Sequence, residues 1–246
     1  RFSSKNERSW LMRTHVQTAG CSLTEQQPLN NIVRVAYQAM AGVLGGCQSL
    51  HTDSMDETLG LPTETAVRVA LRTQQILAHE TGIHRTVDPL AGSYFVESLT
   101  DQMESDANKL MAEIDDLGGV VQGIHKGYFR RSIAEASYRF GQEMEAGDRI
   151  VVGVNAYPDG NDDEQVNLLQ IPHSVETNQC ERLNDFMKSR DDDAAMAALD
   201  TIRETARSDQ NVMTSLVEAS LARCTLGEMV QAMADVFGRY GGGPEW

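Results

Sequence analysis

The feature that most constrains the fold is an alternation in the first third of the chain. Residues 10–16 (WLMRTHV) are apolar and short enough for a buried strand, and the loop 17–22 ends it at Gly20. NNIVRVAYQAMAGVLGG then sets Ile32, Val35, Ala36, Ala39, Met40 and Val43 on one helical face, and Gly45 and Gly46 stop it. CQSLHT, 47–52, is again short enough for a strand. After the acidic loop in LHTDSMDETLGLPTE, Pro62 opens a helix that runs to Thr81, with Ala66, Val69, Ala70, Thr73, Ile76 and Leu77 as its inner stripe. Strand, loop, helix, strand in that order joins parallel neighbours through a crossover, so the expected class is α/β.

Beyond this unit the pattern turns helical. Val96, Leu99, Met103, Ala107, Leu110, Ile114 and Leu117 step by three and four residues as an inward stripe, and Gly118 and Gly119 end that helix. A further helix is predicted over 131–146, with Ile133, Ala136, Phe140 and Met144 inward. RIVVGVN, 149–155, is β-branched and reads as a strand. Residues 156–171 are turn-forming and acidic, a connector, and the chain beyond is helical to its end at GRYGGG. Ser189 is the expected N-cap of one helix, with Asp191, Asp192 and Asp193 in its first turn, where the helix dipole favours negative charge. Thr225 and Glu228 have the spacing of a capping box. The expected division is therefore 1–155 and 156–246.

Composition narrows the partners. Against 21 basic residues stand 36 acidic ones, a net charge of −15, which disfavours nucleic acid and anionic membrane. No run approaches the ~20 apolar residues of a membrane span, and no signal peptide opens the chain. Only Lys5, Lys109, Lys126 and Lys188 are lysines. High acid content with so little lysine suits a salt-rich cytoplasm, where screening removes self-repulsion. Cys21, Cys47, Cys180 and Cys224 form no CxxC pair and read as reduced thiols in a cytoplasmic setting. The chain begins at Arg1 rather than Met, which reads as a fragment or a processed chain.

Several chemistries lack their motif. HETGIH spaces His79 and His84 by five with Gly82 between, which separates the imidazoles instead of pairing them on one helical face. There is no dinucleotide-binding GxGxxG, P-loop or GxSxG nucleophile elbow. Two polar clusters remain: His15, Gln17, Thr18 and Gly20, then Gln48, Ser49, His51, Asp53 and Glu57. Each lies at or after a predicted parallel strand, where α/β folds bind ligands. Amide, hydroxyl and imidazole groups suit a many-armed polar ligand. They equally suit satisfaction of the loop backbone, and the residues alone leave both readings open.

At these clusters the chain resembles a known family. RTHVQTAGCSLTEQQPLNNIVRVAYQAMAGVLGGCQSLHTDSMDETLGLPTE is similar to the large chain of the methylmalonyl-CoA mutase family, the adenosylcobalamin-dependent acyl-CoA carbon-skeleton mutases. The likeness continues through ALRTQQILAHETGI, DPLAGSYFVESLT, RIVVGVN and NVMTSLVEASLARCTLGEM. The resemblance implies a (β/α)8 barrel that threads acyl-CoA along its axis with its mouth at the corrin. A whole barrel takes about 250 residues, so residues 1–155 would be its C-terminal portion, followed by a helical extension. The remaining N-terminal barrel segment, or a homologous chain, is then an expected partner. The family's cobalt-ligating DxHxxG is absent from all six histidines, so the axial ligand is expected from a cobalamin-binding small subunit.

Carried over by resemblance, Gly20 lies where backbone approaches the corrin, Gln17 and His15 line the same mouth, and Gln48 belongs to the second cluster. Glu57 matches a carboxylate facing the adenosyl group, and Gly60 takes a neighbouring position. Asp53 stands where the family commonly has Asn, and Gly60 where it commonly has Ala. The implied reaction is a radical rearrangement in which the cofactor supplies the hard chemistry and the protein supplies binding, orientation and sequestration. No catalytic acid or base is expected in this segment. The alternatives are a non-catalytic homologous partner that serves assembly and an inactive truncation.

Overall fold

The computed structural model describes residues 3–158 and 167–242. The chain divides into two compact units, Arg1–Leu169 and Gln170–Trp246. Residues 159–166 of the expected connector lie outside the described residues, as does the last glycine of GRYGGG.

The first unit is built on the predicted crossover. Strands β1 (His15–Gln17) and β2 (Ser49–His51) pair in parallel, His15 opposite Ser49, Val16 opposite Leu50 and Gln17 opposite His51. Helix α1 (Asn30–Leu44) joins them and α2 (Glu64–Glu80) follows. Strand side chains alternate between faces. Val16 and Leu50 turn to α1, where a Cβ on Gly42 would meet Val16 Cγ1 at 3.1 Å and Leu50 Cδ1 at 3.6 Å. Gly42 therefore lets the helix lie close on the strand pair. His15, Gln17, Ser49 and His51 share the opposite face, and all four are exposed. Val35 and Ala39 of α1 and Ala66, Ala70, Thr73 and Leu77 of α2 are buried as their spacing requires. Ile76, expected in that stripe, is exposed.

Two strand expectations need correction. Residues 10–16 do not form one strand: a 3-10 helix covers Glu7–Trp10, and pairing begins only at His15. A strand requires a neighbour for its backbone groups, and only three residues of β1 stand opposite β2. RIVVGVN is not a strand either. Gly153 adopts φ +83°, and Val154 and Asn155 both donate backbone N–H to Val151 O. The Asn155 side chain accepts from Val151 N at 2.7 Å and donates to Met144 O and Arg149 O. That amide takes the bonds a neighbouring strand would have made, and one bridge, Val152 to Ala156, remains.

Helices α3 (Tyr94–Asp116), α4 (Val120–His125) and α5 (Tyr128–Ala146) complete the unit. Ser93 caps α3, accepting from Val96 N. The apolar stripe of α3 is present but does not face inward: no residue of α3 or α5 is buried, and Met103 is 66% and Leu110 55% exposed. Periodicity fixes which face is apolar and not whether the covering surface is part of the same segment.

The second unit is helical: α6 (His173–Lys188), α7 (Asp192–Ala206), α8 (Met213–Leu221) and α9 (Leu226–Phe237). Ala195, Leu199, Ile202, Ala219, Cys224 and Ala232 form its core. The N-cap of α7 is Asp191, which accepts from Ala194 N, and not Ser189. Ser189 instead donates its hydroxyl to Phe186 O and closes α6. Asp192 and Asp193 occupy the first turn, and the Thr225–Glu228 capping box is present. The parallel strand pair with its crossover is compatible with part of a barrel, and no described helix is long and apolar enough to cross a membrane.

Candidate functional site

The loops that leave β1 and β2 at their C-terminal ends meet. Thr18 N donates to His51 O at 3.1 Å, which extends the ladder by one step. Beyond it lies Asp53, whose side chain is 1% exposed. Its Oδ1 accepts from Gln17 Nε2 at 3.0 Å and its Oδ2 from Thr18 Oγ1 at 2.9 Å, while Asp53 N donates to Thr18 Oγ1 at 2.9 Å. Residues 35 and 36 apart in sequence are thus joined by charge-assisted hydrogen bonds to a buried carboxylate. His51 Nε2 lies 3.6 Å from Asp53 Oδ1, an ion pair only when the imidazole is protonated.

Gly20 and Glu57 face each other across these loops. A Cβ on Gly20 would sit 3.5 Å from Glu57 Cγ, 3.7 Å from Glu57 Oε1 and 3.8 Å from Asp53 Oδ2. The bare glycine therefore leaves a gap one methyl wide beside two carboxylates. Glu57 is exposed, and its carboxylate has no side-chain partner among the described residues. A cleft of about 250 Å³ opens next to it, lined by His51, Glu57, Pro62, Val67, Leu71 and Gln74 among others. The remaining acid of the loop, Asp56, is fully buried. It accepts from Ser54 Oγ, and from Thr63 N at 3.0 Å, which ties the loop to the start of α2. Thr52 makes a second tie, donating to Ala70 O at 2.8 Å and accepting from Gln74 Nε2 at 2.9 Å.

His15, Gln17, Gly20, Asp53 and Glu57 are therefore gathered along one strand face and its C-terminal edge. His15 Nδ1 lies 2.7 Å from Ser49 Oγ across the ladder. Gln48 stands elsewhere: its Oε1 accepts from Thr14 N at 2.6 Å and its Nε2 donates to Gly46 O, at the opposite end of the strand pair. Gly60 is exposed, and a Cβ there would meet nothing within 4 Å, so an alanine fits equally well. Asp53 differs in kind from Glu57. Its carboxylate is engaged by both loops, so it holds the site together, whereas that of Glu57 is open to a ligand. Among the described residues no three His, Cys, Asp or Glu side chains cluster as metal ligands.

Sequence reasoning missed the supports behind these loops. Asn31 is fully buried on α1 and bonds to both loops, and Gln38 Oε1 accepts from Ala19 N at 2.6 Å, just before Gly20. A signal existed for the first. Asn31 sits four residues before Val35 on the buried stripe, and a polar residue there needs hydrogen-bond partners.

The residues fit a large polar ligand: bare backbone at Gly20, an open carboxylate at Glu57 and four exposed polar side chains on the adjoining strand face. A family model described as methylmalonyl-CoA mutase matches residues 1–239. A Caenorhabditis elegans protein named "Probable methylmalonyl-CoA mutase, mitochondrial" is 46% identical over 98% of this chain and 32% of the relative. The methylmalonyl-CoA mutase of Rhizobium meliloti is 44% identical over 99% of this chain and 34% of the relative. That of Escherichia coli is 43% identical over 97% and 34%. The chain spans about a third of the length of these curated relatives.

Proposed function

The chain belongs to the methylmalonyl-CoA mutase family, and we propose that it forms part of the catalytic chain of an adenosylcobalamin-dependent acyl-CoA mutase, with methylmalonyl-CoA and succinyl-CoA as the substrate pair. In this reading β1, α1, β2 and α2 are consecutive elements of an acyl-CoA-threading barrel completed by the rest of the enzyme. On the same reading, the cobalt-ligating histidine is supplied from outside these residues, by a cobalamin-binding domain or partner.

The observation that supports it best is the approach of Gly20 to Glu57 at the C-terminal edge of two parallel strands, the place where such folds bind ligands. When bound, adenosylcobalamin supplies the radical chemistry. The chain's own residues position and enclose. Gly20 allows close approach of a flat ligand to the backbone. Glu57 offers a carboxylate to hydroxyl donors. Asp53 fixes the spacing of the two loops through Gln17 and Thr18. The exposed His15, Gln17, Ser49 and His51 face then lines the substrate path, donating to or accepting from acyl and amide groups.

The test is reconstitution with a cobalamin-binding family subunit and the remaining barrel segment, with acyl-CoA isomerisation as the readout. Turnover of methylmalonyl-CoA is expected. A folded complex that isomerises no acyl-CoA overturns the proposal. Within an active assembly, Glu57→Ala should weaken adenosylcobalamin binding about tenfold, about 1.4 kcal/mol, with an unchanged unfolding midpoint. A lowered midpoint with unchanged affinity would make Glu57 structural.

A further inference from the structure

Behind the Gly20–Glu57 edge lies a hub that nothing in the ligand-facing residues requires. Asn31, in the first turn of α1, is fully buried. Its Nδ2 donates to Thr24 O at 2.8 Å, in the segment after β1, and to Met55 O at 2.9 Å, in the loop after β2. Its Oδ1 accepts from Thr24 N at 3.1 Å and from Arg34 Nη1 at 2.8 Å. A carboxamide has two donor hydrogens and two acceptor lone pairs, and all four are used. Arg34 widens the hub: Nη1 also donates to Thr24 Oγ1 at 2.8 Å, and Nη2 donates to Val152 O at 2.7 Å. One side chain on a rigid helix thus holds the backbones of both loops, two residues from Glu57 on one side and four from Gly20 on the other.

We propose that Asn31 is a positioning residue that sets the gap between Gly20 and Glu57, and so the affinity of that edge for adenosylcobalamin; this rests on the function proposed above. The two ties between the loops differ in place. Asp53 joins them at the strand ends, whereas Asn31 joins them farther out, and only the second fixes Met55. Asp56 and Thr52 hold the loop after β2 to α2. Among the described residues only Asn31 links Met55 to α1 and to the segment after β1, so without that link Glu57 can shift relative to Gly20.

Asn31→Asp tests this in the assembled enzyme. It keeps the shape and both acceptor bonds of Oδ1, and it replaces the donor toward Thr24 O and Met55 O by an oxygen that repels both carbonyls. Three readouts are taken: hydrogen exchange of the Glu57, Leu59 and Gly60 amides, adenosylcobalamin affinity from its absorbance change, and kcat against the KM for the cofactor. Exchange of those amides should quicken at least tenfold while the interior of α2 is unchanged. Cofactor affinity should fall at least tenfold, with KM rising more than kcat falls. Asn31→Ser, which retains a hydroxyl donor, should fall between the two, and it carries the same readouts if Asn31→Asp does not fold. Unchanged exchange in a folded variant overturns the hub itself. Quickened exchange with unchanged affinity overturns its role in positioning. Absence of adenosylcobalamin binding by the unsubstituted assembly defeats the proposed function instead, and the exchange readout still decides whether Asn31 holds the loop.

Discussion

Helices α3 and α7 carry the same kind of signal and end differently. Both are capped by side chains, Ser93 and Asp191, and both have apolar residues at three- and four-residue spacing. Helix α7 buries Ala195, Leu199, Ile202 and Ala206, and Ala195, Leu199 and Ile202 join α8 and α9 residues in one core. Helix α3 buries nothing. Under the function proposed above, the rest of the enzyme would supply the surface that covers α3. An amphipathic pattern records a helix's demand for a partner, and the tertiary structure records whether the demand is met.

The sharpest contrast is between two truncations. Ile202→Ala, at a fully buried site, should destabilise the second unit by about 3 kcal/mol. Met103→Ala on α3 should change stability by less than about 0.5 kcal/mol. Denaturant unfolding of the chain measures both, and equal losses would mean that α3 is covered after all.

The next effect is electrostatic. Arg190, whose side chain is 7% exposed, makes paired bonds of 2.7 Å to Glu228 and one of 2.8 Å to Asp192. The Arg190 bond holds the Glu228 carboxyl down at about 2, aided by Thr225 and opposed by burial, against an ordinary 4.5. A carboxyl depressed on folding contributes stability that is complete above its unfolded value and is lost as pH falls through the folded one. The second unit should therefore weaken between about pH 4.5 and pH 2 as Glu228 is protonated. Glu228→Gln should remove that part of the acid response and cost about 2 kcal/mol at neutral pH. Hydrogen exchange in α7 and α9 follows it, and α3 should show no such dependence on Glu228.

Smaller still is the response to salt. With a net charge of −15, added KCl should raise the unfolding midpoint by screening self-repulsion. A midpoint that falls would count against adaptation to a salt-rich cytoplasm. The smallest effect is the most informative about assembly. Leu99→Glu on the exposed stripe of α3 should leave the chain's own stability nearly unchanged and weaken its association with the rest of the enzyme, as sedimentation would show.

The order β1, α1, β2, α2 was legible because each element has its own period and its own stop. The stripe Val35 and Ala39, the stop at Gly45 and the capping box at Thr225 all follow from near neighbours in sequence. Three local readings went astray, for two reasons. Residues 10–14 and 149–155 have strand composition but lack a strand to pair with, and Ser189 lies two residues from a stronger cap, Asp191. The candidate site was legible as residue types but not as roles. Asp53 and Glu57 look alike in the loop, yet one is closed off by Gln17 and Thr18, and the other is open.

By itself the sequence determined the periodicities, the caps, the acidic surface and the family motifs, because each depends on residues close along the chain or on counts. Tertiary structure alone decided which apolar faces are covered, which carboxylate is buried, and that Asn31 stands between Thr24 and Met55. Those facts depend on groups 7 to 36 residues apart meeting across a crossover, and nothing local in the sequence encodes that distance.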